Sequence, residues 1–123
     1  MSSVVLCIDD DQDNIFLLQR VLKRKHPDIE LHTAMTGCHG VTTAIDDQPA
    51  LILLDNRLPD ANGEQVLRQL AAHPATAAIP VIMLSGDSDP ATIDQLLAAG
   101  AAHFLVKPFD IHRFLAIIGR YLA

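Results

Sequence analysis

Short apolar runs and segments of helical hydrophobic spacing follow one another along this chain from end to end, with no Ser/Gly-rich linker, repeat or low-complexity stretch between them. The first run, Val4-Val5-Leu6-Cys7-Ile8, precedes a segment in which Leu17, Leu18, Val21 and Leu22 recur at helical spacing and which stops before His26-Pro27. Ile29 to Ala34 alternates apolar and polar residues, the pattern of an edge strand solvated on one face, and a moderately apolar helix is expected from about Gly40 to Asp46. Leu51-Ile52-Leu53-Leu54 and Val81-Ile82-Met83-Leu84 are apolar throughout, which suits parallel strands covered on both faces. Gly63 to Ala72 reads as the helix between them, and Pro90 to Ala99 as a helix ending at Gly100. Phe104-Leu105-Val106 is the last strand. Asp110 then caps a final helix in which Ile111, Phe114, Leu115, Ile118 and Leu122 form a stripe toward the sheet.

Strict alternation of this kind implies an α/β fold with a doubly wound, five-stranded parallel sheet, because right-handed crossovers put helices on both faces. The flavodoxin-like strand order 2-1-3-4-5 fits best: it places the alternating second strand at an edge and the continuously apolar first and third strands inside. A chain of 123 residues, half of them hydrophobic, is expected to form one domain over 1–123 whose core needs no disulfide or structural metal. A net charge of -6 without a basic run excludes a surface that collects phosphate backbones, so no direct nucleic-acid partner is expected. The N-terminus carries no leader pattern and no apolar run approaches the roughly 20 residues of a membrane helix, so a cytoplasmic location without membrane insertion is expected. Cys7 and Cys38 lack metal-ligand or redox spacing and read as buried thiols in a reducing compartment. The scattered histidines, His26, His32, His39, His73, His103 and His112, read as structural or solvent-facing. Asp9, Asp11 and Asp13 imitate the start of a calcium loop, but that loop needs glycine where Asn14 stands and glutamate where Arg20 stands.

The informative residues follow the apolar runs, since open α/β sheets bind ligands outside the carboxyl ends of their strands. The first strand runs into Asp9-Asp10-Asp11, the third into Asp55, the fourth into Ser85-Gly86 and the fifth into Lys107-Pro108. Singly, each is ordinary cap or turn chemistry. Together they put carboxylates, a hydroxyl and an ammonium along one sheet edge. Two carboxylates about 5 Å apart repel by roughly 3 kcal/mol at an effective dielectric near 20, so Asp9, Asp10 and Asp55 need compensation. Lys107 supplies one positive charge, and a hard divalent cation with oxygen ligands, Mg²⁺ above all, would neutralise the rest. A magnesium ion that keeps an open position is suited to holding a phosphoryl group.

Four pieces of the chain, Cys7-Ile8-Asp9-Asp10-Asp11, the segment from Leu53 to Gly63, Met83-Leu84-Ser85-Gly86 and Phe104-Leu105-Val106-Lys107-Pro108-Phe109, stand in an order that resembles the receiver domain of two-component response regulators. The resemblance runs over essentially the whole length. It implies that Asp55 accepts a phosphoryl group from a phosphohistidine on a sensor histidine kinase or histidine phosphotransfer protein, and that the phosphorylated form acts on a downstream protein target. It further implies that Asp10, Asp55 and the backbone carbonyl of Arg57 ligate Mg²⁺ directly, with Asp9 acting through water. Lys107 would hold the phosphoryl oxygens and the Ser85 hydroxyl would bond one of them. Ser85 and Phe104 would form the switch. Phe104 lacks the hydroxyl of the tyrosine often found there, so its signal would pass through ring packing. Arg57 and Asp87 would flank the path of the attacking water, and an ion pair between them would slow loss of the phosphoryl group. Such a chain catalyses its own phosphorylation and slow dephosphorylation rather than turning over an external substrate.

Phe16, with Ile15 beside it, lies out of phase with the core positions of the first helix and is expected to face a kinase or phosphotransfer partner near the acidic site. Ile117 and Tyr121 fall off the stripe of the last helix, as a partner or weak homodimer surface would, or a shield for a neighbouring helix. Two other functions compete. A haloacid-dehalogenase-like phosphatase also places an Asp-x-Asp, here Asp9 to Asp11, after its first strand, although its acidic pair comes last in the chain and it usually carries a cap. A receiver fold serving as a phosphorylation-independent interaction module is the other, and the presence of every reactive position argues against it. A stand-alone regulator, a phosphorelay shuttle and a receiver from a hybrid kinase all remain open.

Overall fold

The computed structural model describes residues 3–122. Its elements are β1 (Ser3–Ile8), α1 (Gln12–Lys25), β2 (Ile29–Ala34), α2 (Gly37–Asp47), β3 (Leu51–Asp55), α3 (Gly63–Ala72), β4 (Val81–Ser85), α4 (Pro90–Ala98), β5 (His103–Val106) and α5 (Ile111–Gly119). The sheet is wholly parallel in the order β2-β1-β3-β4-β5, as expected. Because successive strand residues point to opposite faces, the apolar runs feed two cores. Leu6, Ile8, Ile52, Leu54 and Met83 pack with Ala44 of α2, Val66 and Leu70 of α3 and Leu96 of α4. Val5, Cys7, Leu51, Leu53, Ile82, Leu84 and Leu105 face the other way, onto Leu18 and Leu22 of α1 and Phe114, Ile117 and Ile118 of α5. A run apolar at every position is what burial on both faces requires.

The helix ends explain the turns that carry the site. Asp11 caps α1 by accepting from the backbone N–H of Asp13 and Asn14, and Asp110 caps α5 through the N–H groups of His112 and Arg113. Beyond α4, Gly100 takes φ +119°. Its N–H bonds the Leu97 carbonyl while that of Ala101 bonds Leu96, each at 3.1 Å, a Schellman closure only glycine fits easily.

Several sequence expectations are corrected in register. α2 begins at Gly37, three residues before the expected Gly40, with Thr36 as its cap. Its core face is built of Gly37, Gly40 and Ala44, small residues with little hydropathy signal, because the helix lies hard against β1. A Cβ at Gly40 would stand 2.6 Å from Ile8 Cδ1. That same face leaves Cys38 pointing outward and exposed, so only Cys7 is a buried thiol. In α1 the stripe turned inward is Ile15, Leu18 and Leu22, and Leu17 is 44% exposed. Ile15 therefore packs against the core instead of facing a partner. In α5 the buried residues are Phe114, Ile117 and Ile118, while Leu115 and Leu122 lie half-buried at the margin. Ile117 is core, and the half-buried Tyr121 sets its ring edge-on to His103 at 5.8 Å.

Candidate functional site

Parallel register brings the polar strand ends into one pocket. Ile8 pairs with Leu54, Asp55 with Leu84 and Ser85 with Val106, so the residues that end or follow β1, β3, β4 and β5 stand side by side. Asp9, Asp55 and Ser85 are buried, and Lys107 half-buried. Lys107 Nζ donates to Asp55 Oδ1 at 2.9 Å and to Asp9 Oδ2 at 3.2 Å. Asp9 accepts two more bonds, from the Asp11 N–H at 3.0 Å and from Asn14 Nδ2 at 2.7 Å. The second oxygen of Asp55 accepts from the Arg57 N–H at 3.3 Å. Asp10 differs from both: it is exposed, and among the described residues no donor reaches its carboxylate.

Carboxylate oxygens of Asp9, Asp10 and Asp55 lie within 4.8 Å of one another. Burial pushes the Asp55 carboxyl above the ordinary carboxylate range; the Lys107 hydrogen bond pulls it back, and the neighbouring charge of Asp9 adds to the rise. Burial acts on the Lys107 ammonium in the opposite sense, but its bond to Asp55 and the charge of Asp9 outweigh it and hold the lysine above its ordinary value. With all groups ionised, three carboxylates against one ammonium leave the pocket at a net charge of about -2. A donor set of oxygens only, with one unengaged carboxylate at the mouth, is the chemistry that hard divalent cations take. Magnesium fits these residues.

Around this centre the chain supplies further groups. The N–H of Leu58 bonds the Ala61 carbonyl and that of Gly63 bonds Asn56, which leaves the Arg57 carbonyl with no donor among the described residues. Ser85 Oγ accepts from the Asp87 N–H at 3.1 Å, so its own hydrogen is free to be donated. The expected Arg57–Asp87 ion pair is not formed. The Asp87 carboxylate turns into its own loop, accepting from the Asp89 N–H at 2.9 Å and the Thr92 hydroxyl at 3.2 Å. Phe104 is half-buried against the core facing α2, α3 and α4. Phe16 is 61% exposed, with the Arg20 guanidinium 5.8 Å from its ring centroid. A groove of about 380 Å³ is lined by Asp13, Asn14, Leu17, Lys107 and Phe109, so the apolar lining next to the acidic pocket comes from Leu17 and Phe109, and Ile15 takes no part in it.

Sequence reasoning missed three participants. Asn14 escaped because a polar residue in a first helical turn is unremarkable, although five residues after Asp9 is where a helix starting at Gln12 turns a side chain back toward the strand end. Thr92 tethers Asp87 to α4. Asp60 accepts from the N–H groups of Gly37 at 2.7 Å and Cys38 at 2.9 Å, which hold its carboxyl below the usual range and tie the loop after β3 to the start of α2. No described helix is long and apolar enough to cross a membrane.

Comparison with known proteins accounts for this arrangement. The family described as response regulator receiver domain matches residues 5–119. The response regulator PleD of Caulobacter vibrioides is 36% identical over 110 residues, which cover 89% of this chain but only 24% of PleD. Among solved structures, the receiver domain of the sensor histidine kinase PA1611 from Pseudomonas aeruginosa, with a magnesium ion coordinated in its active site cleft, superposes with a TM-score of 0.88 at 23% identity, covering 99% of this chain and 98% of that one. The chemotaxis response regulator CheY4 of Vibrio cholerae gives 0.89 at 24% identity, covering 99% and 100%. At these identities the superpositions establish the shared fold. The family match, the curated relative and the order of the motif residues together establish more: this chain belongs to the response regulator receiver domains of two-component signalling.

Proposed function

We propose that Asp55 is the phosphoryl acceptor of this receiver and that Mg²⁺ bound by Asp10, Asp55 and the Arg57 carbonyl is its cofactor. The observation that carries this reading is the pairing of a buried Asp55 with Lys107 at 2.9 Å inside a pocket of net negative charge that opens to solvent at Asp10. An Asp55 oxygen attacks the phosphorus of a partner's phosphohistidine; the new P–O bond forms as the P–N bond breaks, and the electron pair of that bond returns to the imidazole. Asp55 enters as the ionised carboxylate and needs no general base. Its orientation comes from Lys107 on one oxygen and the Arg57 N–H on the other, so the groups that fix the nucleophile also stand beside the incoming charge. Bound Mg²⁺ supplies positive charge to the phosphoryl oxygens. Asp9, whose oxygens already accept three bonds, would act on a bound ion only through water.

Phosphorylation adds an anion that Lys107 and the free hydrogen of Ser85 turn to hold. Movement of Ser85 pulls on the Asp87 N–H, and Phe104 repacks on β5 without a hydroxyl of its own. The phosphohistidine donor, a sensor kinase or histidine phosphotransfer protein, docks on Phe16 and the groove beside Leu17, next to the nucleophile. The dehalogenase-like phosphatase loses its support with the receiver match over residues 5–119. Intact mass after incubation with Mg²⁺ and a small acyl-phosphate donor tests the proposal. One added phosphoryl group, lost in Asp55→Asn and without magnesium, is expected. A folded protein that gains nothing points to the phosphorylation-independent interaction module.

A further inference from the structure

We infer that Asn14 is a positioning residue for phosphoryl transfer, the neutral donor that holds Asp9 so that Lys107 is free to leave it. The inference rests on the reading of Asp55 as acceptor and adds a residue to that site. Asp9 is wholly buried, and a buried carboxylate must keep its acceptor sites filled. Its Oδ2 has two donors, and the shorter bond is from Asn14 Nδ2, 2.7 Å, against 3.2 Å from Lys107. Lys107 leans the other way, with its shorter contact at Asp55 Oδ1, 2.9 Å. The Asn14 amide can face Asp9 only through its NH₂, because its carbonyl would oppose a carboxylate oxygen. The half-buried Asn14 also lines the groove with Lys107, so the two donors to Asp9 Oδ2 stand side by side at its wall.

The consequence lies in how Lys107 divides its bonds. When a phosphoryl group arrives at Asp55, the ammonium must turn toward new oxygens and give up Asp9 Oδ2. With Asn14 in place Asp9 keeps one donor on each oxygen, from Asn14 and from the Asp11 N–H, and the transfer of Lys107 leaves no buried lone pair bare. Without Asn14, Lys107 becomes the sole donor to Oδ2 and is held back. The donor's neutrality matters as well: a lysine or arginine at position 14 would cancel part of the negative charge that attracts a divalent cation, and an amide does not.

Asn14→Leu removes the donor while changing no charge. Its rate of phosphorylation at saturating Mg²⁺ and small acyl-phosphate donor is expected to fall about tenfold, the scale of one hydrogen bond to a charged group. Mg²⁺ affinity, read by titration without phosphodonor, stays within about twofold of wild type because the charge is unchanged. A double-mutant cycle separates positioning from a general loss of structure: in a Lys107→Ala background Asn14→Leu has no further effect on rate. In the free protein the Lys107 ε-methylene NMR shift moves in Asn14→Leu, a readout independent of any phosphodonor. Asn14→Ala, with its better helix propensity, gives the same pattern if leucine perturbs the first turn of α1. A variant that reacts as fast as wild type overturns the inference alone, as does a tenfold loss that persists without Lys107. Wild type that takes no phosphoryl group overturns the reading of the site, and the inference with it.

Discussion

Asp10→Asn should make the magnesium-free protein more stable. Asp10 is exposed, accepts no bond from the described residues, and has a carboxylate oxygen within 4.8 Å of oxygens on both Asp9 and Asp55. At that separation each like-charged pair costs about 0.9 kcal/mol at the dielectric of water and about 3.5 kcal/mol at the value suited to a protein surface. Taking the lower figure for an exposed group, two pairs cost about 2 kcal/mol, and the positive charge of Lys107 in the same pocket offsets part of it. Removing the charge therefore stabilises by about 1 kcal/mol, roughly 4 °C in Tm for a domain of this size. Magnesium reverses the order: wild type gains about 1.4 kcal/mol at a concentration tenfold above Kd, and Asp10→Asn, short of a ligand, gains little. Thermal denaturation at neutral pH and low salt, in EDTA and then in Mg²⁺, measures both. A variant less stable than wild type in EDTA, or one that magnesium stabilises equally, would refute the reasoning.

The other consequences are as direct. A thiol reagent should titrate Cys38 in the native protein and Cys7 only after denaturation, because burial, and then the charge of Asp9, push the Cys7 thiol far above its ordinary value. His32 lies between Asp47, 2.6 Å from Nδ1, and Glu30, 3.1 Å from Nε2, and the Asp47 hydrogen bond, then that of Glu30, raise its pKa. A raised pKa gives stability that is complete below the unfolded value and lost as pH rises through the folded one, so His32→Asn should cost about 0.5–1 kcal/mol in mildly acidic urea titrations and nothing in alkaline ones. Gly40→Ala should cost about 1–3 kcal/mol in the same titration, since its Cβ would meet Ile8 Cδ1 at 2.6 Å, and Ile8→Val in the same chain should recover part of that.

What the sequence made legible, and what it hid, divides along physical lines. Strand order could be read because runs such as Leu51 to Leu54 are apolar at every position and Ile29 to Ala34 is not, which separates central strands from the edge. The pocket followed, since parallel strands in register carry Asp9, Asp55, Ser85 and Lys107 to one end whatever the helices do. Helix phase was less visible: Ile15, Leu17, Leu18, Val21 and Leu22 can be grouped into two stripes, and only packing on a flat sheet chooses the one containing Ile15. The start of α2 was hidden because a close approach selects Gly37 and Gly40, which have no side chain to signal burial. Asn14, Asp60 and Thr92 act through contacts whose geometry exists only once loops and first turns are built. The Arg57–Asp87 pair failed for the same reason, as local backbone and Thr92 claim the aspartate first.

The central claim is that one carboxylate among thirteen aspartates, Asp55, takes the phosphoryl group. Reductive trapping tests it most directly: borohydride converts an aspartyl phosphate to homoserine, and peptide mass spectrometry then locates the changed residue. After incubation with Mg²⁺ and an acyl-phosphate donor, homoserine should appear at position 55 and nowhere else. Homoserine at Asp9, Asp10 or Asp11, or at no position in a protein that is folded and magnesium-loaded, would contradict the account.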